Sequence, residues 1–353
     1  MKTIAIVATG GTIAGTGKKG KTAAYHAGEI DIDSIIESIP EINEVAHIKE
    51  YQLMNIDSNE MTHEKWLILK NNIEEILSDD TIDGAVVTHG TDTLDETAYF
   101  LTLTLNTPKP VVLTGAMRPA TATSADGPFN LYQAICLACH GESYNRGVLA
   151  LFSNTIYSGR DIEKVNNFKI DAFDQRSLGC LGYMQDQEVY FYTQTSKIHT
   201  IKSRFNKRID SIKSVAIAFY YSGADAKILY DLASDHEGIV IAGSGSGNYS
   251  QAWLKAIEEL SEKGTIFVRS SRISQGIVFD DEIFDPHHLC ISSNTLSPQK
   301  ARVLLMLALT QTHDRDEIRE IFLQYEKEKS FFFLNMYEKK IDLWYTLLAI
   351  ETC

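Results

Sequence analysis

Short apolar runs alternate with amphipathic stretches along the first 192 residues of this chain. Each run is bounded by turn residues and is continuously apolar, which predicts strands buried on both faces of a parallel sheet. The predicted strands are residues 4–8, 84–88, 111–115 and 147–152, and the predicted helices are residues 32–38, 63–77, 93–105 and 129–140. The pattern therefore predicts an α/β fold whose larger N-terminal domain, residues 1–192, holds an open and mostly parallel sheet.

The same pattern returns at residue 215, after a polar and basic stretch over residues 193–214 that is typical of a linker. The predicted strands here are residues 215–221, 238–243 and 265–270, and the predicted helices are residues 225–233, 251–263, 298–311 and 315–325. We therefore predict a smaller C-terminal α/β domain over residues 215–325. Residues 326–353, charged at first and then apolar, form an atypical C-terminal tail.

Charge and hydropathy exclude two classes of partner. The net charge is −14, and the 33 lysines and arginines form no long run, whereas nucleic-acid binding needs a concentrated basic surface. No run approaches the ~20 apolar residues of a membrane span. The opening MKTIAIVA resembles a signal-peptide apolar region, but cleavage there would remove the first strand. The chain as written suggests the cytoplasm; a periplasmic protein that had lost its leader would look the same.

The five cysteines are odd in number and sparse, which favours free thiols over a disulfide framework. Cys136 and Cys139 lie in a helical apolar pattern and have no second pair to complete four metal ligands. His287 and His288 also lack the spacing of a ligand pair on a helix. We therefore expect no metal site.

Glycines and hydroxyl side chains follow the first predicted strand in TGGTIAG, residues 9–15. In open α/β sheets ligands bind beyond the carboxyl ends of the strands. Gly10 and Gly11 allow a tight turn, after which Thr12 would project a hydroxyl that needs a base to become nucleophilic. The following GTGKKGK would be a lid that carries Tyr25 over the site. A dinucleotide-binding turn or a plain strand–helix turn are the alternatives.

The stretch THGTDT, residues 88–93, offers a hydroxyl and a carboxylate from one turn, at Thr91 and Asp92. The alternative is a simple helix cap. Lys164 in GRDIEKVNN would supply a base if partly desolvated beside a threonine, and otherwise would be a solvated lysine. GSGSGN, residues 243–248, is a similar glycine loop in the second domain, which Asn248 makes polar rather than phosphate-binding.

Several of these stretches together resemble the bacterial L-asparaginases, with most likeness to the subgroup usually exported to the periplasm. The likeness covers roughly residues 2–325. The motifs that carry it are ATGGTIAG (8–15), NIDSNEM (55–61), THGTDTLDETAYFL (88–101), GAMRP (115–119), SADGPFNLYQA (124–134), GRDIEK (159–164), GN (247–248), VRSSR (268–272) and TLSPQKARVLLMLALTQT (295–312).

This resemblance implies hydrolysis of the side-chain amide of L-asparagine to L-aspartate and ammonia, with Thr12 as the acylated nucleophile and Tyr25 polarising it. It implies a second triad of Thr91, Asp92 and Lys164, and it leaves open which group activates Thr12. No metal or organic cofactor is implied. The implied partner is a second copy of the chain, in a homotetramer built from close dimers that share sites.

The substrate clamp implied by the resemblance uses Ser58 for the α-carboxylate and Asp92 for the α-ammonium group. Asn59, Asn248 and Glu282 would complete it. Asn59 stands where the subgroup often has glutamine, and a missing residue between 276 and 295 leaves Glu282 and Asp281 as alternatives. His26 replaces a small hydroxyl residue after the loop tyrosine.

Two other functions stay open at this stage. One is a glutaminase-asparaginase with comparable action on L-glutamine, since one methylene changes binding by only ~1–3 kcal/mol. The other is a non-catalytic amino-acid or nucleotide sensor on the same fold, because a fold does not imply activity.

Overall fold

The computed structural model describes residues 1–22, 25–26, 28–29, 31–175, 178–280, 282–283 and 285–326, except for the side chain of Tyr25. The tail predicted for residues 326–353 lies outside this part beyond Glu326. The helices within it are α1 (Ile32–Glu37), α2 (Ile42–Val45), α3 (His63–Ser78), α4 (Leu94–Thr104), α5 (Gly127–Cys139), α6 (Lys227–Ala233), α7 (Gln251–Ser261), α8 (Pro298–Ala308) and α9 (Arg315–Glu326).

The strands of the described residues extend over most of the chain. They are β1 (Lys2–Gly10), β2 (Thr16–Gly17), β3 (Tyr25–His26), β4 (Ala46–Ile56), β5 (Gly84–Thr88), β6 (Val111–Thr114), β7 (Val148–Phe152), β8 (Thr155–Ser158), β9 (Ile162–Lys164), β10 (Phe173–Gln175), β11 (Gly182–Gln185), β12 (Glu188–Phe191), β13 (Val215–Phe219), β14 (Gly238–Gly243), β15 (Ile266–Ser271) and β16 (Cys290–Ser292). Short 3₁₀ turns occur at Thr12–Ala14, Ser58–Glu60, Gly141–Ser143 and Thr200–Lys202.

The larger sheet holds eight strands of the described chain, in the order β12-β11-β8-β7-β6-β5-β1-β4. The five strands from β7 to β4 are parallel, and β8, β11 and β12 continue the sheet antiparallel. β1 lies between β4 and β5, so the chain leaves β1 toward one side and returns through α3 to the other. Such a reversal of strand order creates a crevice at the carboxyl ends of the strands, where ligands bind.

The smaller sheet is parallel, in the order β13-β14-β15-β16, and α8 packs against β13, β14 and β15. α8 also packs against α4 of the larger domain. One apolar cluster therefore runs through both domains, from Leu94 and Leu101 on α4 to Leu304 and Leu307 on α8. The predicted α/β class, with a larger mostly parallel sheet and a smaller second domain, is confirmed.

Several strands had not been predicted. β4 is half exposed along its length, so it shows no continuous apolar run. β8, β11 and β12 are only four residues long, and β11 and β12 alternate in exposure. The segment predicted as a linker lies between the two sheets in the chain, but it is not solvated throughout. Phe205 is buried, and Ser203 Oγ donates to the carbonyl of Leu103 at 2.5 Å. No helix in the described residues is both long and apolar enough to cross a bilayer.

Candidate active site

Two glycine loops contact each other at the carboxyl ends of β1 and β5. Gly11 has a φ of +84° and donates its N–H to the carbonyl of Ile56 at 2.9 Å. A Cβ at Gly11 would lie 2.4 Å from the backbone nitrogen of Gly90, so only glycine permits this approach. The contact places Thr12, buried at 6% exposure in the first turn after β1, beside the loop that carries Thr91 and Asp92.

A chain of hydrogen bonds fixes the loop after β5 from behind. Trp66 Nε1 donates to Thr97 Oγ1 at 2.9 Å, Thr97 Oγ1 lies 3.0 Å from His89 Nε2, and His89 Nδ1 lies 2.7 Å from the carbonyl of Gly90. Because the carbonyl only accepts, Nδ1 carries the proton and Nε2 accepts from the threonine hydroxyl. Burial lowers the pKa of His89 to about 4, which keeps the imidazole neutral. The sequence pattern alone did not indicate this role for His89.

Lys164 joins Thr91 and Asp92 from the strand β9. Its ammonium group donates to Thr91 Oγ1 at 2.8 Å and to Asp92 Oδ1 at 2.5 Å. Thr91 is buried, whereas the Asp92 side chain keeps 54% of its surface exposed. The three residues predicted as a triad therefore form one contact set. Asp92 and Lys164 border an open cavity of about 440 Å³ that Gln299, at the start of α8, also lines.

The loop after β4 brings Ser58 and Asn59 to the same place. Thr93 Oγ1 donates to the carbonyl of Ser58 at 2.8 Å, and a Cβ on Gly90 would meet Ser58 Oγ at 2.7 Å. Asn59 Nδ2 donates to Asp57 Oδ1 at 2.8 Å and lies 3.5 Å from Asp92 Oδ2. Both residues predicted to bind substrate from this loop therefore lie beside the THGTDT turn.

The predicted lid folds back onto the Thr12 loop. β2 pairs with β3 through Gly17 and Tyr25, and the N–H of Gly28 donates to the carbonyl of Gly11 at 3.2 Å. Gly17 and Gly20 also bond Thr121 in the loop after β6. The backbone of Tyr25 thus belongs to a hairpin attached to the site, while its side chain lies outside the described residues.

The two remaining predicted residues lie on the smaller domain. Asn248 closes a turn after β14 through backbone bonds with Ser244 at 2.6 and 2.9 Å. The Glu282 side chain is 82% exposed and lies 3.8 Å from His288 Nε2. In the described part of this single chain, neither residue is hydrogen-bonded to Asp92 or Ser58. Asp281, the alternative to Glu282, lies outside the described residues.

No group of three or more histidine, cysteine, aspartate or glutamate side chains in the described residues is arranged to hold a metal ion. Of the two cysteines of α5, Cys136 is buried in an apolar cluster and the partly buried Cys139 packs against it. Burial raises the pKa of both Cys136 and Cys139 to about 11, so neither is a ready thiolate.

The fold and these loops define a two-domain α/β protein with a hydroxyl- and carboxylate-rich site at the strand-order reversal. Residues 3–197 match the family model "Asparaginase, N-terminal", and residues 214–322 match "Glutaminase/Asparaginase C-terminal domain". The chain belongs to the asparaginase family, and the resemblance drawn from its motifs is confirmed.

Relatives of high similarity cover nearly the whole chain. The chain is 44% identical to "Probable L-asparaginase periplasmic" of Haemophilus influenzae, covering 90% of this chain and 92% of the relative. It is 38% identical to "Glutaminase-asparaginase" of Pseudomonas fluorescens biotype A, covering 91% of this chain and 90% of the relative. Among solved structures, the probable cytoplasmic L-asparaginase from Campylobacter jejuni has a TM-score of 0.87 at 44% identity, covering 92% of this chain and 100% of that chain.

Proposed function

We propose that this protein hydrolyses the side-chain amide of L-asparagine to L-aspartate and ammonia. The observation that supports the proposal is the close approach of the Gly11 loop, which carries Thr12, to the Gly90 loop, which carries Thr91 and Asp92 and is bonded by Lys164. The relatives named L-asparaginase support the same reaction.

The reaction would proceed in two steps, acylation of Thr12 and hydrolysis of the ester. Thr12 Oγ attacks the carboxamide carbon, and the hydroxyl proton passes to the departing nitrogen. Ammonia is released, and the aspartyl group remains bound to Thr12 as an ester. Water then attacks the ester, which releases aspartate and returns a proton to Thr12. Backbone N–H groups around Thr91 would stabilise the oxyanion in both steps. Either Tyr25 or the Thr91–Lys164 pair would activate the nucleophile.

Binding of the free amino acid would use the side chains gathered around Gly90. Asp92 directs one carboxylate oxygen at Lys164 and keeps more than half of its side-chain surface exposed, so its second oxygen can accept the substrate's ammonium group. Ser58, packed on Gly90, would hold the α-carboxylate. The single chain would thus supply partners for both the ammonium and the carboxylate group of asparagine.

Asn248 and Glu282 would act from a neighbouring copy of the chain. Both lie on the smaller domain and neither bonds the other clamp residues in the described chain. We propose a homotetramer of close dimers in which each site is completed across the dimer contact.

The relative from Haemophilus influenzae is named periplasmic, and the solved structure from Campylobacter jejuni is named cytoplasmic. For this chain, we propose the cytoplasm.

L-Glutamine is the alternative substrate, since three relatives of 37–38% identity are named glutaminase-asparaginase. The relatives of 41–44% identity are named L-asparaginase, which favours asparagine. We expect weaker action on glutamine, and ammonia release from the two amino acids measured side by side gives the ratio.

The decisive test is Thr12→Ala. We expect ammonia release from asparagine to fall by at least about 1,000-fold, because the nucleophile is gone, while aspartate still binds. Thr3→Ala, at the opposite end of the same strand, is the matched control and should keep wild-type turnover. Full turnover by Thr12→Ala would refute the mechanism. If the wild-type protein releases no ammonia and Thr12→Ala binds the amino acid as wild type does, the amino-acid sensor is favoured.

A further inference from the structure

The strand that delivers Lys164 has one edge without a strand partner in the described chain. β9 pairs with β10 on one edge only. The N–H of Val165 donates to the carbonyl of Ala172 at 2.8 Å, which directs the backbone groups of residues 163 and 165 toward β10. The carbonyl of Ile162 and the N–H of Lys164 therefore point to the opposite edge, and such groups need partners when they are buried.

Lys300 of the smaller domain is the hydrogen-bond partner of the first of these groups. It lies in the first turn of α8, is 1% exposed, and its ammonium group donates to the carbonyl of Ile162 at 2.5 Å. Glu163 Oε1 lies 4.0 Å away. A buried ammonium group is costly unless charges and hydrogen bonds compensate it. Burial accordingly lowers the pKa of Lys300, and the carboxylates of Glu163 and Asp95 oppose that shift.

Asp95 is the group closest in kind to a partner for the second one, because it is a buried carboxyl group on the first turn of α4 that borders the same cavity as Lys164. Burial raises its pKa, and the charge of Lys300 and the backbone N–H of Lys164 oppose that shift. Asp95 lies in the first turn of α4, three residues after Asp92, which accepts the Lys164 side chain. The start of one helix thus bonds the Lys164 ammonium group through Asp92 and carries Asp95 on the border of the same cavity.

We propose that Asp95 and Lys300 are positioning residues, which hold the edge of β9 so that the Lys164 ammonium group stays on Thr91 and Asp92. Neither would touch the substrate. Through Lys300, the reaction at the larger domain's loops depends on a helix of the smaller domain, so the second domain supports catalysis within its own chain. The inference rests on the proposed function, in which Lys164 acts on Thr91.

The test is a double-mutant cycle on kcat for asparagine, using Lys300→Met, Lys164→Met and the double variant. Methionine keeps much of the volume of lysine and removes the charge. Lys70→Met is the matched control, because Lys70 is also a buried lysine, 2% exposed, but pairs with Glu74 on α3 far along the chain from β9. Aspartate binding and thermal unfolding confirm that each variant is folded.

We expect Lys300→Met to lower kcat about tenfold, less than the roughly 100-fold that a 1 Å misplacement can cost. In the Lys164→Met background the same substitution should lower kcat by less than about twofold, because coupled residues do not add. Lys70→Met should leave kcat unchanged. An equal fall in both backgrounds, or no fall in either, would overturn the positioning role.

A failure of the proposed function can be distinguished from a failure of the positioning role. If Lys164→Met alone keeps full kcat, the role of Lys164 is wrong and this inference falls with it, although Thr12→Ala can still show the nucleophile. If Lys300→Met does not accumulate as folded protein, Asp95→Asn tests the same support from the larger domain. It keeps an acceptor oxygen and removes the charge that faces Lys300, so its loss in kcat should also disappear in the Lys164→Met background.

Discussion

Two glycine-rich turns of this chain follow buried parallel strands, and their environments differ. The turn after β1 contacts another loop, since a Cβ on Gly11 would meet Gly90 at 2.4 Å. The turn after β14 instead packs on itself and on the adjacent strand β15, since a Cβ on Gly243 would meet Gly247 at 2.4 Å and Arg269 of β15 donates to the carbonyl of Ser246. Glycine spacing alone therefore does not define a site. The strand-order reversal at β1 does, because it brings the loops after β1, β4 and β5 together.

Among the substitutions that test the difference between the two turns, Gly11→Ala is expected to have the largest effect. The new Cβ would be forced into backbone at a positive φ, so we expect a loss of about 3 kcal/mol in the free energy of unfolding. Because the Thr12 loop must move away from Gly90, ammonia release should fall to roughly 1% of wild type or less. Urea unfolding and an ammonia assay measure both.

Gly245→Ala, in the turn after β14, is the matched control. Gly245 has a φ of +50°, but its Cβ would meet only Asn248 Nδ2, at 3.5 Å. We expect a loss of about 1 kcal/mol in unfolding free energy, the ordinary penalty of a left-handed alanine. Equal losses in the two variants would show that the contact between the loops contributes nothing beyond backbone strain.

A smaller effect is expected on substrate binding, where Asp92 of the turn after β5 and Asn248 of the turn after β14 have different proposed roles. Asp92→Ala should raise KM for asparagine about 100-fold, because a charged partner of the substrate's ammonium group is lost in a partly buried site. Asn248→Ala should raise KM only about fivefold, the worth of one neutral hydrogen bond. Steady-state kinetics of both variants decide the order, and an unaltered KM in Asp92→Ala would remove its ammonium role.

The sequence predicted the parallel strands β1, β5, β6, β7, β13, β14 and β15, because each is a continuous apolar run. It also predicted the described helices other than α2 to within a few residues at each end. It did not predict β4, since Lys49, Glu50 and Gln52 interrupt the apolar pattern of a strand that is exposed on one face. The motifs also indicated which hydroxyl and carboxylate residues meet. What they could not give is the contact between loops, which depends on strand order.

The supporting residues were harder to predict, because their partners are distant in the chain. Lys300 lies 138 residues from Ile162, and the Trp66–Thr97–His89 chain joins α3, α4 and a loop. One signal was present for Lys300. It stands at helical spacing with Val303, Leu304 and Leu307, on the face of α8 that a helix normally fills with apolar residues. A lysine on such a face has an internal partner.

The smallest effect concerns pH and tests how the active-site turn is held. His89 has a pKa of about 4 in the folded protein against an ordinary value of 6.5. Between these pH values the unfolded chain binds a proton and the folded one does not, so this group makes the protein lose stability as pH falls from about 6.5 to about 4. His89→Gln can still donate to Gly90 and accept from Thr97, and its unfolding free energy should decline less than that of wild type over this range.

Thr97→Val separates this titration from the hydrogen-bond chain itself. The variant removes the hydroxyl between Trp66 and His89, so it should lose about 1–3 kcal/mol at pH 7 while keeping a histidine at position 89 and hence the acid-side decline. Urea unfolding of wild type and both variants at pH 7, 6 and 5 gives the three slopes. If His89→Gln declines as steeply as wild type, the imidazole behind Gly90 is not the group whose protonation destabilises the protein.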